Sequence, residues 1–147
     1  MATSTDDNRP HALQHRLAGW PVSEDTARIR NTPFLAEGVA EGDIVRYITG
    51  HDGLLWATGR VEASGNCTVR ILPVRDGPLG PSAQRVHDQF APFGIGGEQY
   101  STELPLVALT IPAHADLADV KRLLVRGQTE GWWHFEASCV TPEWNDA

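Results

Sequence analysis

The feature that most constrains this chain lies between residues 43 and 74. There, three β-rich runs are separated by two tight turns. Ile44, Val45, Tyr47 and Ile48 make the first run, LLWATGRVEA at 54–63 the second, and CTVRILPV at 67–74 the third. HDG at 51–53 is a glycine-bearing turn of the kind that closes a hairpin. SGN at 64–66 is built from residues whose side chains bond their own backbone and so favour turns. Branched and aromatic side chains fit a pleated surface. The expectation is a three-stranded antiparallel meander over 43–74.

The pattern changes after Arg75. Ser82 is placed to cap a helix in which Val86, Phe90 and Phe93 recur at helical spacing. Proline at 92 and glycine at 94 stop it. GIGGEQYSTE reads as a loop and LPLVALTIP as an apolar strand. Asp116 precedes a second helix, with Leu117, Val120, Leu123 and Leu124 on one stripe. EGWWHFEASCV is the last strand, ended by Pro142. The expected fold is α+β: an N-terminal antiparallel meander followed by a ferredoxin-like, split βαβ unit with two helices. The expected boundaries are a flexible tail at 1–12 and a β-rich part at 13–75. An α+β part at 76–141 shares the strand at 67–74, and a short tail fills 142–147.

Charge narrows the partners. The formal net charge is −7, with eight basic and nine acidic residues in 1–75 against four and ten in 76–147. An acidic chain has no general attraction to phosphate backbones, so no nucleic-acid partner is expected. No apolar run approaches the ~20 residues of a membrane-spanning helix, so no membrane association is expected. The first ten residues lack the apolar core of a secretory signal. Cys67 and Cys139, the two cysteines, fall in apparent strands and read as buried, reduced thiols. A cytoplasmic location follows from those two readings.

Few residues suggest chemistry. The six histidines show neither HExxH nor zinc-ribbon spacing, so no metal and no cofactor are expected. The glycines of GIGG follow a helix rather than open one, which suits helix termination better than phosphate binding. His134 and Glu136 are two apart in a strand and share a face, where a carboxylate could orient an imidazole for acid–base catalysis. They are the candidate catalytic pair, weighed against an ordinary surface pair. Arg70, in an apolar strand, needs a carboxylate, a ligand anion or solvent. Trp132 would share the strand face of His134, opposite Trp133 and Phe135, and exposed tryptophan can mark a contact surface. Packing against the C-terminal segment is the competing reading. Asn31, Phe34, Asn66 and Thr68 stand in or beside the polar turns NTPF and SGNCTVR. With Arg70 and Trp132 they complete the candidate ligand-binding set.

These residues carry a resemblance. The chain resembles a bacterial family designated domain of unknown function 4265, over about residues 28–140. That family's motifs run N-x-P-F-x-A-x-x-[LIV]-x-x-G-D, then S-G-[HN]-x-T-x-R, then G-x-W-x-[FY]-E-x-[GS]-C. Asn31, Pro33, Phe34, Ala36, Gly42 and Asp43 match the first, and Ser64, Gly65, Asn66, Thr68 and Arg70 the second. Gly131, Trp133, Phe135, Glu136, Ser138 and Cys139 match the third. The segment before NTPF looks shorter than in typical relatives. The resemblance implies membership and architecture, and it implies that NTPF and SGNCTVR could meet in one site. It implies no reaction.

Two functions compete at this point. The first is a small soluble binding or regulatory module for a protein partner or a small ligand, such as a pathway accessory or an immunity-type protein, with an oligomer left open. The second is a small cofactor-independent enzyme, with His134 and Glu136 as the acid–base pair and Arg70 and Asn66 binding an anion.

Overall fold

The computed structural model describes residues 11–14, 17–34 and 38–147. Five strands come first: β1 (His11–Leu13), β2 (Leu17–Pro21), β3 (Thr26–Ile29), β4 (Ile44–Thr49) and β5 (Leu55–Glu62). Each pairs antiparallel with the next, and β1 meets β5 in parallel at Leu13 and Leu55, which closes a barrel. Leu13, Leu17, Ala27, Ile29, Val45 and Tyr47 fill it. Gly19 is required there: a Cβ would lie 2.8 Å from that of Ala27.

The second sheet holds β6 (Cys67–Pro73), β7 (Gly96–Gln99), β8 (Val107–Ile111) and β9 (Trp133–Cys139), in the order β7-β8-β6-β9, every neighbour antiparallel. Helix α1 (Ala83–Phe90) follows β6, and α2 (Leu117–Thr129) follows β8. Ser82 Oγ accepts from the Arg85 N–H and Asp116 Oδ1 from the Asp119 N–H, so each helix begins at a side-chain cap. Val69, Ile71, Val107, Leu109, Ile111 and Trp133 point from the sheet into the main core, with Val86 and Phe90 of α1 and Val120 and Leu124 of α2. Trp133 is fully buried, and its indole N–H donates to the Leu124 carbonyl at 3.0 Å. Gly127 makes room for it, since a Cβ there would overlap the indole ring.

This corrects the expected α+β fold. Strand dominates, the first five strands close into a barrel rather than lying open, and the described residues hold three short α-helices and a single 3-10 turn at Ala91–Phe93. The meander over 43–74 does not form as a unit. Its first two runs are the β4–β5 hairpin, but the third run, β6, pairs with β8 and β9 and never with β5. The physical reason lies in the SGN turn. Gly65 adopts a positive φ of 91°, and Asn66 and Ser64 are tied to the Glu41 carbonyl instead of bridging two paired strands. The chain therefore leaves the barrel at this turn and enters the second sheet. An arrangement with a ferredoxin-like unit hung on an open meander misplaces this break.

Other boundaries move as well. His11 and Ala12 belong to β1 rather than to a tail, and residues 1–10 lie outside the described ones. GIGGEQYSTE contains β7. Residues 142–147 include α3 (Pro142–Asp146), whose Trp144 is buried against the main core.

Candidate functional site

The alternation of a strand puts odd and even residues on opposite faces. One face of the second sheet is covered by α1 and α2. The other carries Thr68, Arg70 and Leu72 of β6, Ala108 and Thr110 of β8, Glu98 of β7, and His134 and Glu136 of β9. The link between β3 and β4 crosses this second face. Thr32 donates its N–H to Glu98 Oε2 at 2.7 Å, and its hydroxyl meets that of Thr110 at 2.8 Å. Phe34 packs edge-on to Tyr100, and its carbonyl accepts from Arg70 Nη1 at 2.7 Å. Thr68 Oγ1 donates to the Val39 carbonyl, and the Gly38 N–H to the Ser138 carbonyl. NTPF and SGNCTVR thus meet through the Arg70–Phe34 bond, and the third motif joins them because Glu136 lies opposite Arg70 in the ladder.

Asp43 anchors the end of this link. It is 1% exposed. One carboxylate oxygen accepts from the Ser64 N–H at 2.8 Å, the other from the Ala40 N–H at 2.8 Å and from Arg60 at 3.3 Å. Arg60 also reaches Cys139 Sγ at 3.5 Å. Burial, and secondarily the Asp43 charge, push the Cys139 thiol above its ordinary value. A buried thiol in that state is neutral and unreactive, as expected of a structural cysteine.

The link leaves open surface on both sides. The smaller cleft, about 430 Å³, is lined by Phe34, Arg70, Leu72, Leu106, Phe135 and by His134 and Glu136. A second recess of about 590 Å³ shares Leu72 and His134 with it, and continues over Pro73, Val74, Pro81, Leu104 and Pro105. Together they form one largely apolar trough across the β6–β9 half of the sheet. Leu72 and Leu104 are both exposed in it. At the end beside Phe34, Arg70 pairs with Glu136 at 2.8 Å; the arginine side chain is 15% exposed and the glutamate 63%. On the far side of the link is a polar groove of about 820 Å³, whose lining includes Trp20, Arg28, Arg30, Asn31, Asn66 and the glycine-rich start of β7.

The candidate ligand set is therefore divided. Phe34 and Arg70 line the trough with His134 and Glu136, while Asn31 and Asn66 line the groove. Asn31 Oδ1 accepts from the Ala18 N–H at 2.9 Å, which holds the link to the barrel. Thr68 is fully buried beneath the link and reaches neither recess. Trp132 is not on the His134 face. Gly131, at a φ of 77°, turns the chain before β9 begins, and the Trp132 N–H donates to the Gly127 carbonyl at the end of α2. Its ring packs edge-on to Trp133 and under the Arg126 guanidinium, on the helical side of the sheet. Strand alternation does not apply to a residue still held by the helix end.

His134 is exposed, and among the described residues no hydrogen bond joins it to Glu136, whose carboxylate is engaged by Arg70. Sequence reasoning missed Leu72, Leu104 and Leu106 as trough residues. Leu72 was findable, because it continues the Thr68–Arg70 alternation. It missed Trp20, Arg28 and Arg30, which no local pattern marks. Among the described residues, no group of three or more His, Cys, Asp or Glu could hold a metal ion, and no helix is long and apolar enough to cross a membrane.

A five-stranded barrel joined to a helix-backed four-stranded sheet, with the barrel's own link laid across the sheet, defines a small β-dominated domain. The chain belongs to the family described as Domain of unknown function (DUF4265), which it matches over residues 15–135. A solved structure described as "Novel crystal structure of a hypothetical protein from Neisseria gonorrhoeae" is similar at 18% identity with a TM-score of 0.69, over 89% of this chain and 91% of that one. That likeness is one of fold. No curated protein matches the chain.

Proposed function

We propose that this domain is a non-catalytic binding module whose ligand lies in the trough on the uncovered half of the second sheet. The observation that carries this reading is the trough itself. Leu72 and Leu104, with Leu106, Phe34 and the prolines, leave apolar surface concave and open to solvent, and an arginine–glutamate pair stands at one end. Concave apolar surface with few convergent polar groups is the usual form of a ligand site. The fitting ligand has an apolar body and an acidic end, since a carboxylate can exchange with the exposed Glu136 on the partly buried Arg70. A small molecule and the terminal side chain of a partner both meet that description. The acid–base reading has less support, because Arg70 holds the Glu136 carboxylate and no nucleophile stands beside His134.

Sodium octanoate is a suitable probe. Titrated into ¹⁵N-labelled protein, it should shift the amides of Leu72, Leu104 and His134, and Leu72→Asp should abolish those shifts while the rest of the spectrum is kept. An unchanged spectrum at millimolar octanoate, or shifts confined to other surfaces, would overturn the proposal.

A further inference from the structure

The polar groove on the other side of the link supports an inference independent of the trough. Strand β7 is the terminal strand of its sheet, and all four of its residues are exposed. The Tyr100 N–H donates to the Leu106 carbonyl, so the hydrogen-bonded pairs in this ladder fall at Tyr100–Leu106, Glu98–Ala108 and Gly96–Thr110. Gly97 and Gln99 then direct their N–H and C=O groups away from β8, and among the described residues no backbone group meets them. An edge of this kind is a template for an added strand.

The glycines beside it sharpen the argument. Gly97 is required by packing, since a Cβ there would overlap the Ala108 carbonyl. Gly96 is not. A Cβ there meets nothing within 4 Å, and its φ is not in the left-handed region. Glycine inside a strand costs about 0.5–1 kcal/mol relative to alanine. Where neither packing nor φ demands it, a strand glycine fits a place where a ligand or another backbone approaches closely. Gly96 lines the groove.

The opposite wall states what such a strand would carry. Trp20 and Arg28 are cross-strand neighbours, and the Arg30 guanidinium lies 5.6 Å from the Trp20 ring centroid. Arg28 donates to the Gly42 carbonyl beside Glu41, and Glu98 is taken by the Thr32 N–H. Among the described residues the Arg30 guanidinium has no hydrogen-bonded partner. It is a cation held in place over an indole with its donors open to the groove.

We infer that the groove receives an extended segment of another protein, which adds as a strand to β7 and places an acidic side chain on Arg30. The probe is a capped octapeptide of alternating threonine and glutamate, labelled for fluorescence anisotropy. The matching threonine–lysine peptide serves as the control. Binding of the glutamate peptide alone is expected, with slowed hydrogen exchange at the Gly97 and Gln99 amides. Gln99→Pro removes one outward donor and leaves the β8 ladder intact, so it should weaken binding about tenfold or more. Arg30→Gln should weaken it to a similar degree. Circular dichroism checks that both variants fold, and exchange in the unmodified protein provides a reading independent of them. Loss of binding in Arg30→Gln with none in Gln99→Pro, and no added protection, would overturn strand addition and leave a simple anion site. No binding of the glutamate peptide at millimolar concentration, or equal binding of the lysine peptide, would overturn the inference outright. Octanoate shifts in the trough are read separately, so either conclusion can fail alone.

Discussion

Asp43→Ala tests how the two halves of the molecule are held together. Asp43 accepts two backbone N–H bonds, from Ala40 and Ser64, and pairs with Arg60. Alanine leaves the Ala40 N–H, on a fully buried residue, without its acceptor. An unsatisfied buried donor costs about 1–3 kcal/mol, and more when the lost partner was charged. The Ser64 N–H is partly buried and can recover a water, so it adds about 1 kcal/mol. Arg60 is 40% exposed, and an exposed partner of a broken pair adds little. The sum is about 2–4 kcal/mol, a large share of the ~5–15 kcal/mol expected for a domain. Urea denaturation followed by tryptophan fluorescence measures it, with an unchanged slope expected if the transition stays two-state. Asp43→Asn keeps one acceptor but sets an amide N–H against a backbone donor, so its cost should fall between wild type and alanine. A loss below about 1 kcal/mol for Asp43→Ala would show that the anchor is not where the link is held, and the account of the site's scaffold would fail with it.

Gly127→Ala should destabilise by about 1–3 kcal/mol, although alanine is the better helix former, because its Cβ overlaps the Trp133 indole; increased stability in urea would refute the packing. Arg70→Met should cost about 2 kcal/mol, through the Phe34 carbonyl left unpaired, whereas Glu136→Gln should cost under about 1 kcal/mol because the glutamate is mostly exposed; equal losses in parallel melts would contradict that division. Burial lowers the His87 pKa below 6.5, with Asp88 opposing it. The unfolded chain therefore takes up the proton first, and the stability from neutral His87 is complete above ~6.5 and lost as pH falls through the lower folded value. His87→Gln should flatten the stability profile over that window, and an unchanged slope would remove the assignment. Cys67 and Cys139 should both react slowly with a thiol reagent at neutral pH in the native state and quickly in urea; fast native labelling would refute their burial.

What was legible in the sequence was local. The β4–β5 hairpin shows in its HDG turn, and the two longer helices in their caps at Ser82 and Asp116. The partner of Arg70 was legible as a requirement, a carboxylate or equivalent, though not as Glu136, which is 66 residues away. What was not legible was non-local. Nothing in CTVRILP says whether its neighbour is β5 or β8, because both pairings satisfy the same alternation. β1, with three residues, and β7, with two glycines among four, carry too little β-forming composition to register. Trp132 failed for another reason. Period-two reasoning was extended one residue before β9 begins, between a left-handed glycine and the strand, where the helix end still dictates direction.

The division of the site follows from how the second sheet is covered. A sheet with two faces must bury both or leave apolar area in water. Here α1 and α2, with Trp144 of α3, pack on one face, and the barrel has its own small core. The other face is crossed by the link. That link is fastened along one line, from Thr32 on Thr110 and Glu98 to Phe34 on Arg70 and Val39 on Thr68. A single pass of chain covers about one strand spacing of roughly 5 Å to either side, and the four-stranded sheet is wider than that. Surface must therefore remain open on both flanks. Its character is set by the strands beneath: Leu72 and the prolines on the β6–β9 side, glycines and Glu98 on the β7–β8 side. One residue from each motif, Phe34, Arg70 and Glu136, meets where the link is fastened, and all three also line the trough. Substitutions at these three should thus perturb both recesses together, whereas Leu72 and Arg30 should act on one each.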